Sequence, residues 1–562
     1  MLFMKSIHIS KIYIAGSLLL VLAGAACKKN VLDAPMDLNV TDSTIFKNIF
    51  YVTDFVTNIY SGTPSGYRQL GLNSGTLTEC ATDDARHANN ANDVYRLTNG
   101  SWGPTINFDD VWTGSYRNIR RCNQFFENID LVKMIDHNDT IRINTLYATD
   151  QKYRLIGEVY FLRAFSYFEL CKRYGGVPVV TKTLSLNDDI DLPRNNFDET
   201  VAQIVKDCDS AFKRLPATYI GLADNYYGRA TKWAAAALKA RILLYAASTL
   251  NNPTADRAKW VKAYEAAKPF FDGTAGFALP NGIAGYEGTF RGNTATNTEI
   301  IWSRVETNNN FVETDNYPVG EVNGTGGVCP SQYLVDAFEM KDGLPWNQSP
   351  LYDAAKPYDN RDPRFAATIL YNNANFKSRK IETFTNGVDG PQKVNGSLTG
   401  YYMRKHIDLN LNLLSGQTAQ HNWVHFRLGE MLLNYAEALN EADGAVGDVY
   451  TAVNRIRTRV GMPGLPVGLS KEQMRDRIRN ERRIELSFEG HRYWDARRWD
   501  IAKTDFNRKM RGMKIEQTSP GVFTYTPYDL EDRVFAGYMN RYPIQLRDIL
   551  ANPKLEQNDG WK

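Results

Sequence analysis

The sequence predicts a mostly α-helical fold in which stacked helix hairpins support an irregular, loop-rich lobe with a few short strands. Three observations predict it. Apolar residues recur at three- and four-residue spacing through a series of segments. Those segments follow one another as antiparallel pairs with small residues at interior positions. Between them run long stretches rich in Gly, Asn, Thr and Tyr, too polar and too broken by turn formers to continue a helix.

The first element is a targeting segment. Lys5 and Lys11 precede an apolar run from Ile12 to Ala26, shorter than the roughly 20 residues that cross a bilayer, so residues 1–26 read as a signal peptide. Gly24, Ala25 and Ala26 stand directly before Cys27, and Lys28, Lys29 and Asn30 follow it. The pattern resembles a bacterial lipoprotein cleavage site with Cys27 as the lipidated residue and 27–40 as a tether. Gly24 departs from it, standing where a large aliphatic residue is usual, and plain secretion is the alternative. Acyl chains contribute about 0.8 kcal/mol per buried methylene and would hold the protein at a membrane surface without a spanning helix.

Residues 41–270 form the first helical region. Leu155, Val159, Leu162, Ser166 and Leu170 share one face of a helix, and Tyr160, Ala164, Tyr167 and Cys171 make a second apolar stripe. A helix apolar on two sides must be covered on two sides, and Gly175, Gly176 and Pro178 end it. In the next helix Asp198 is the expected N-cap, Val201, Ile204, Val205, Cys208 and Phe212 are the stripe, and Pro216 is the stop. The alanine run around Trp233 and Leu238 permits close helix approach, and a shorter helix follows Asn251-Asn252-Pro253. Residues 271–562 form the second region, packed with the first as one globular unit. There "RLGEMLLNYAEALNEA" pairs across Asp443-Gly444 with "VGDVYTAVNRIRTRVGMPG". Such pairs are tetratricopeptide-like, although the full repeat consensus is absent. The irregular stretches, Tyr67 to Asp110, Gly273 to Pro330 and Lys341 to Gln420, read as functional surface.

The gross chemistry narrows the function. The 562 residues exceed what one hydrophobic core usually serves. A net charge of +3 recruits neither nucleic acid nor anionic membrane. Aromatic residues at 12% point to large amphipathic contact surfaces. Beyond Cys27, the cysteines at 80, 122, 171, 208 and 329 are odd in number and widely spaced, and read as buried free thiols. No G-x-S-x-G, H-E-x-x-H, G-x-G-x-x-G or Walker pattern occurs, and "NGTGGVCP" at Asn323 reads as a turn. His421 and His425 have a spacing compatible with two metal ligands on a helix but no identifiable third. The doublets Asp83-Asp84, Asp109-Asp110 and Asp188-Asp189 could serve calcium or a glycosidase; solvated loop acids is the better reading. No catalytic residue, metal or cofactor is expected.

The densest chemistry is "RRIELSFEGHRYWDARRWD", Arg482 to Asp500, with five arginines and four carboxylates. Ile484 and Phe488 share a helical face, and Glu481, Glu485 and Glu489 form a charged row four apart. Interleaved opposite charges predict internal pairing, whereas a nucleic-acid grip leaves arginines uncompensated for phosphates. The block reads as a structural lattice.

A set of blocks now resembles the SusD/RagB outer-membrane lipoproteins of Bacteroidetes: Val111 to Asp130, Gly157 to Val180, Ala230 to Ser248, Tyr358 to Asn372, Phe426 to Ala442, the Glu481 to Trp499 block, and the terminal "NDGW" from Asn558 to Trp561. They run in the family's order over nearly the whole mature chain. The resemblance implies a SusD-like fold and a role without catalysis: a lipid-anchored protein that captures a nutrient, usually a glycan, over a SusC-like TonB-dependent barrel for import. A peptide ligand is the alternative within the family, and a surface glycosidase is a rival from another class. The expected ligand residues come from the long loops, because a pyranose stacks its C–H face on an aromatic ring while its hydroxyls need placed donors and acceptors. They are Trp102 with Asn107, Arg86 as a polar clamp, and Phe311 and Tyr317 in the loop after "EIIW", which faces ligand in glycan-binding relatives. A cell-surface orientation is expected, although the basic residues after Cys27 replace the acidic run that marks surface export in some relatives.

Overall fold

The computed structural model describes residues 45–71, 75–132, 151–185, 187–219, 226–291 and 296–562. The signal peptide and the tether with Cys27 lie outside the described residues. The principal helices are α1 (Ile49–Ser61), α2 (Trp112–Asn128), α3 (Gln151–Tyr174), α4 (Phe197–Arg214), α5 (Lys232–Ala247), α6 (Arg257–Phe271), α7 (Leu428–Asp443), α8 (Gly447–Arg459), α9 (Lys471–Glu485) and α10 (His491–Arg498). Each of α2 to α7 packs on the next, and α7 also packs on α8 and α9. The molecule is therefore mostly helical, built as a series of stacked antiparallel hairpins. Among the described residues no helix is long and apolar enough to cross a membrane.

Helix α3 is covered by α2 and α4, and of the residues in its two stripes only Tyr160 keeps partial exposure. The helix stops at Tyr174, where Gly175 takes a φ of +81° and a Cβ on Gly176 would lie 2.1 Å from the Asn195 carbonyl oxygen. The start of α4 corrects the expected cap. Asn196, not Asp198, accepts from the Glu199 amide at 2.8 Å, and the Glu199 carboxylate takes the Asn196 amide at 3.0 Å, a reciprocal capping box. Asp198 instead accepts from Lys259 of α6 at 2.9 Å. In α5, Ala234, Ala235, Ala237 and Ala240 are buried, and these small side chains let α4 and α6 approach from either side.

The loop-rich lobe holds short antiparallel ladders. β1 (Ala85–His87) pairs with β3 (Val328–Pro330), β2 (Ile300–Arg304) pairs with β4 (Trp423–Arg427), and β5 (Met510–Ser519) turns at Gly521 into β6 (Val522–Glu531). One hydrophobic cluster runs from Phe46 to Leu555 and joins helices and lobe. The five described cysteines are buried free thiols.

The charged block is a lattice, but not the self-contained one expected. Helix α9 ends at Glu485, Phe488 turns at φ +60°, and α10 starts afresh at His491, so no helical face carries Ile484 and Phe488 together. Within the block, Arg482 and Arg498 both donate to Asp495, at 3.1 and 2.8 Å. The other pairs reach distant segments. Glu485 accepts from Arg364 at 2.9 Å, Arg427 at 2.7 Å, and Arg459. Glu481 accepts from Arg364 and Arg457, Glu489 from Arg427 and Lys405, and Arg498 donates to Glu437 and Ser248. Burial alone would raise the Glu485 carboxyl, but three guanidiniums hold it well below the usual carboxylate range.

The acidic doublets are corrected for the same reason. Asp83 and Asp84 are buried partners of Arg483, and Asp83 also accepts from Arg492 at 2.9 Å. Asp109 accepts both arms of the Arg173 guanidinium at 2.8 Å, and Asp110 accepts from Tyr174. Only Asp188-Asp189 is a surface pair, held by Lys182 and Lys554.

Candidate ligand-binding face

Pairing of β1 with β3 brings together two loops that are remote in sequence. The register places Ala85 against Pro330 and His87 against Val328, and the Ala88 amide extends the ladder to the Gly327 carbonyl at 2.7 Å. Gly326 and Gly327 take φ of +78° and +31°. A Cβ on Gly327 would lie 2.1 Å from the Asp315 carbonyl oxygen. The glycine pair thus lets the Asn323–Gly327 turn lie directly on the short helix Phe311–Asn316, as the turn reading of "NGTGGVCP" requires.

On that helix Asp315 meets Arg68 from the loop after α1. Arg68 Nε donates to Oδ2 at 2.7 Å and Nη2 to Oδ1 at 2.9 Å, a two-point carboxylate clamp. The same guanidinium lies 4.7 Å from the centroid of the Phe311 ring, and Tyr67 meets that ring edge-on at 5.9 Å. Arg68 is 50% exposed and Asp315 33%, so the clamp is at the surface. Around it stand amides and hydroxyls. Thr325 Oγ1 donates to the Asp315 carbonyl at 3.0 Å, Asn310 Nδ2 donates to the Gln417 carbonyl at 3.2 Å, and Asn309 exchanges two backbone bonds with Ala419. Asn90, exposed at the end of the β1 loop, accepts from Arg86 Nη2 at 2.7 Å.

The structure separates the expected ligand residues. Phe311 is half-buried on this face. Arg86 is 3% exposed; it pairs with Glu531 at 3.3 Å and lies 5.4 Å from the Tyr95 ring centroid, so it braces Asn90 from behind instead of clamping from the front. Tyr317 is fully buried, donating its hydroxyl to the Asp408 and Leu411 carbonyls. Trp102, the expected platform, is 6% exposed, with Tyr542 and Trp561 packed edge-on at 5.2 and 4.7 Å. Its ring contacts lie with Tyr542 and the C-terminal Trp561, and so buried a ring is no open platform. Asn107 is buried and accepts from the Asp109 amide at 3.1 Å, turning the chain into the Arg173 ion pair. Arg68 and Asp315 escaped the sequence reading because they lie 247 residues apart and a single ion pair leaves no periodic trace.

The histidine pair does not lie on a helical turn. His421 precedes β4 by two residues and His425 lies within it; His421 Nε2 is 3.0 Å from Glu313, and the His425 ring stacks on Trp302 at 4.6 Å. Among the described residues no group of three or more His, Cys, Asp or Glu is placed to hold a metal ion.

The face offers a ring surface, a guanidinium donor, a carboxylate acceptor and several amides. That set suits a polyhydroxylated ligand, whose hydroxyls both donate and accept while its C–H face rests on the ring.

Comparison with known proteins bears on the family of the chain. The SusD family model matches residues 290–561, and a second model, described as starch-binding associating with outer membrane, matches residues 32–244. A SusD-like protein of Bacteroides fragilis has a crystal structure that is 30% identical, with a TM-score of 0.78 over 94% of this chain and 100% of that one. A SusD-like protein of Formosa agariphila is 24% identical over 95% of this chain and 96% of its own length. A laminarin-binding SusD-like protein shares the fold with a TM-score of 0.64 at 21% identity, covering 92% of this chain and all of that one. With its helix hairpins, its loop-built lobe and these relatives along almost its whole length, the chain belongs to the SusD/RagB family.

Proposed function

We propose that this protein captures a glycan at the outer membrane, held there by a lipid on Cys27 and facing outward, and delivers it without catalysis to a SusC-like TonB-dependent barrel. The observation that carries the binding step is the Arg68–Phe311–Asp315 cluster within its rim of amides. Phe311 supplies the C–H stacking surface, Arg68 and Asp315 supply opposed hydrogen-bonding polarity, and Arg86 acts behind them by holding Asn90. Family membership, the laminarin-binding relative and a carbohydrate-binding SusD-like relative of Bacteroides fragilis support a saccharide over a peptide.

The test is affinity electrophoresis of the mature protein through laminarin, starch, xylan and pectin, comparing wild type with Phe311→Ala and Arg68→Ala. Retardation of the wild type by at least one polysaccharide, lost in both variants, is the expected result. Wild type that ignores every glycan but binds a peptide pool would transfer the site to the peptide reading. Cys27→Ser is expected to release the protein from membranes in fractionated cells.

A further inference from the structure

We infer that the loop from Lys341 to Asn360 carries a second saccharide-binding surface, built on Trp346 and Tyr352 and sharing no residue with the Arg68–Phe311 face. The inference rests on the glycan reading of that face and extends it to a second point of attachment.

Of the ten tryptophans in the chain, Trp346 alone is neither buried nor packed against a hydrophobic cluster. Its aromatic neighbour is Tyr352, with ring centroids 4.9 Å apart and planes inclined by 56°. Tyr352 is likewise half-buried and outside the clusters. Leu344 and Leu351 flank the pair at 41% and 40% exposure. Four large apolar side chains held partly in water contribute little burial, so the arrangement adds little to folding.

The loop is nevertheless rigidly specified. Its neck is closed by the Met340–Arg361 bridge and by the Lys341 amide donating to the Asn360 carbonyl at 2.7 Å. Inside it, Asp342 accepts from the Leu344 amide at 3.0 Å and from Ser349 Oγ at 2.6 Å, and Ser349 Oγ accepts from the Leu351 amide at 3.1 Å. At the base, Arg477 donates to the Gly343 carbonyl at 3.1 Å. A closed loop ordered by its own polar groups, presenting two inclined rings beside the exposed amides of Asn347 and Gln348, is preorganised for a ring-shaped polar ligand. Its chemistry matches that of the first face: stacking surface at the centre, amide donors and acceptors at the edge. One aromatic pair binds a single sugar unit weakly. On a polysaccharide that also occupies the first face, it raises retention through effective concentration.

The experiment compares wild type, Trp346→Ala, Phe311→Ala and the double variant, using whichever of laminarin, starch, xylan and pectin retards the wild type, together with a short oligosaccharide of that same glycan. The expected results are oligosaccharide affinity within twofold of wild type for Trp346→Ala, polysaccharide affinity at least tenfold weaker, and residual polysaccharide retention in Phe311→Ala that vanishes in the double variant. Trp346→Phe should restore most of the loss, which separates stacking from loop collapse, and unchanged melting temperatures exclude unfolding. Polysaccharide affinity of Trp346→Ala equal to wild type, while Phe311→Ala loses the oligosaccharide, overturns the second surface and leaves the first intact. Wild type retained by none of the four glycans overturns the glycan reading and the second surface with it.

Discussion

Arg427 at the end of β4 donates to Glu485 at the end of α9 at 2.7 Å across 58 residues of chain, and both are almost completely excluded from water. The same guanidinium also reaches Glu299 and Glu489 at 2.6 Å, while Glu485 is shared with Arg364 and Arg459. Buried ion pairs of this kind add little net stability, because desolvation offsets the attraction, but removing one partner strands the other. The lattice therefore fixes how the helix hairpins seat against the loop lobe. Glu485→Gln is expected to destabilise the protein by about 3 to 5 kcal/mol, measured by urea denaturation. Arg68→Ala, at a surface ion pair, should change stability by less than about 1 kcal/mol. Similar midpoints for the two variants would remove the distinction between brace and binding face.

Acid should loosen the molecule from neutral pH downward. Burial lowers His406 to about 4 and His425 to about 3 from an ordinary 6.5. The unfolded chain thus takes up protons near 6.5 that the folded chain refuses, and stability, complete above 6.5, falls as pH drops through that value. His406 alone accounts for about 3 kcal/mol by pH 4. Burial opposes ionisation of Glu489, yet Arg427 and Lys405 hold it at about 2 from 4.5. Its contribution, present above 4.5, is lost between 4.5 and 2, extending the decline. Calorimetric melting temperatures from pH 8 to 4 should drop below 6.5, less steeply than the imidazoles alone would give, because burial raises Glu79 to about 7 and its folded carboxyl takes up a proton over the same range; a profile that rises from pH 7 to 4.5 would contradict the burial of these imidazoles as neutral groups.

Trp102 is expected to matter for folding and not for ligand. Truncating a buried tryptophan costs about 3 to 5 kcal/mol, and here the cavity would open against Trp561 and Tyr542. Trp102→Ala should melt earlier while its folded fraction binds with wild-type affinity. A binding defect without a stability change would return Trp102 to the ligand site.

The helical part of the fold was legible because burial imposes periodicity. Two stripes on α3 announce two neighbours, and the terminal "NDGW" is meaningful because Asn558 donates to the Tyr174 and Tyr542 carbonyls while Trp561 packs on Trp102. Polar contacts carry no such signature. Asn196 and Asp198 are both acceptable caps by type, and only the backbone entering α4 selects the first. The partners of Glu481, Glu485 and Glu489 come from five cationic residues between Arg364 and Arg459 that no spacing rule connects to them. Phe311 and Tyr317 were expected by region alone, and of the two only Phe311 is partly exposed while Tyr317 is buried. Arg68 and Asp315 were not expected, since 247 residues of chain separate them and no spacing rule joins them.

Gly327 offers the sharpest link between that backbone arrangement and binding. At φ +31° with the Asp315 carbonyl oxygen 2.1 Å from any added Cβ, Gly327→Ala must either push the Phe311–Asn316 helix away or break the Ala88 bond to residue 327. Displacement of the helix carries Asp315 and Phe311 together away from Arg68, without removing a side chain that could touch ligand. Because the strain is local and the lattice around Glu485 is untouched, a stability loss of about 1 to 3 kcal/mol is expected, with ligand affinity falling at least tenfold. Asp315→Asn keeps the backbone and removes only the charge, so it should weaken binding less than Gly327→Ala does. If Gly327→Ala binds like wild type while Asp315→Asn does not, the carboxylate acts alone and the seating of the turn on the helix is irrelevant to the site.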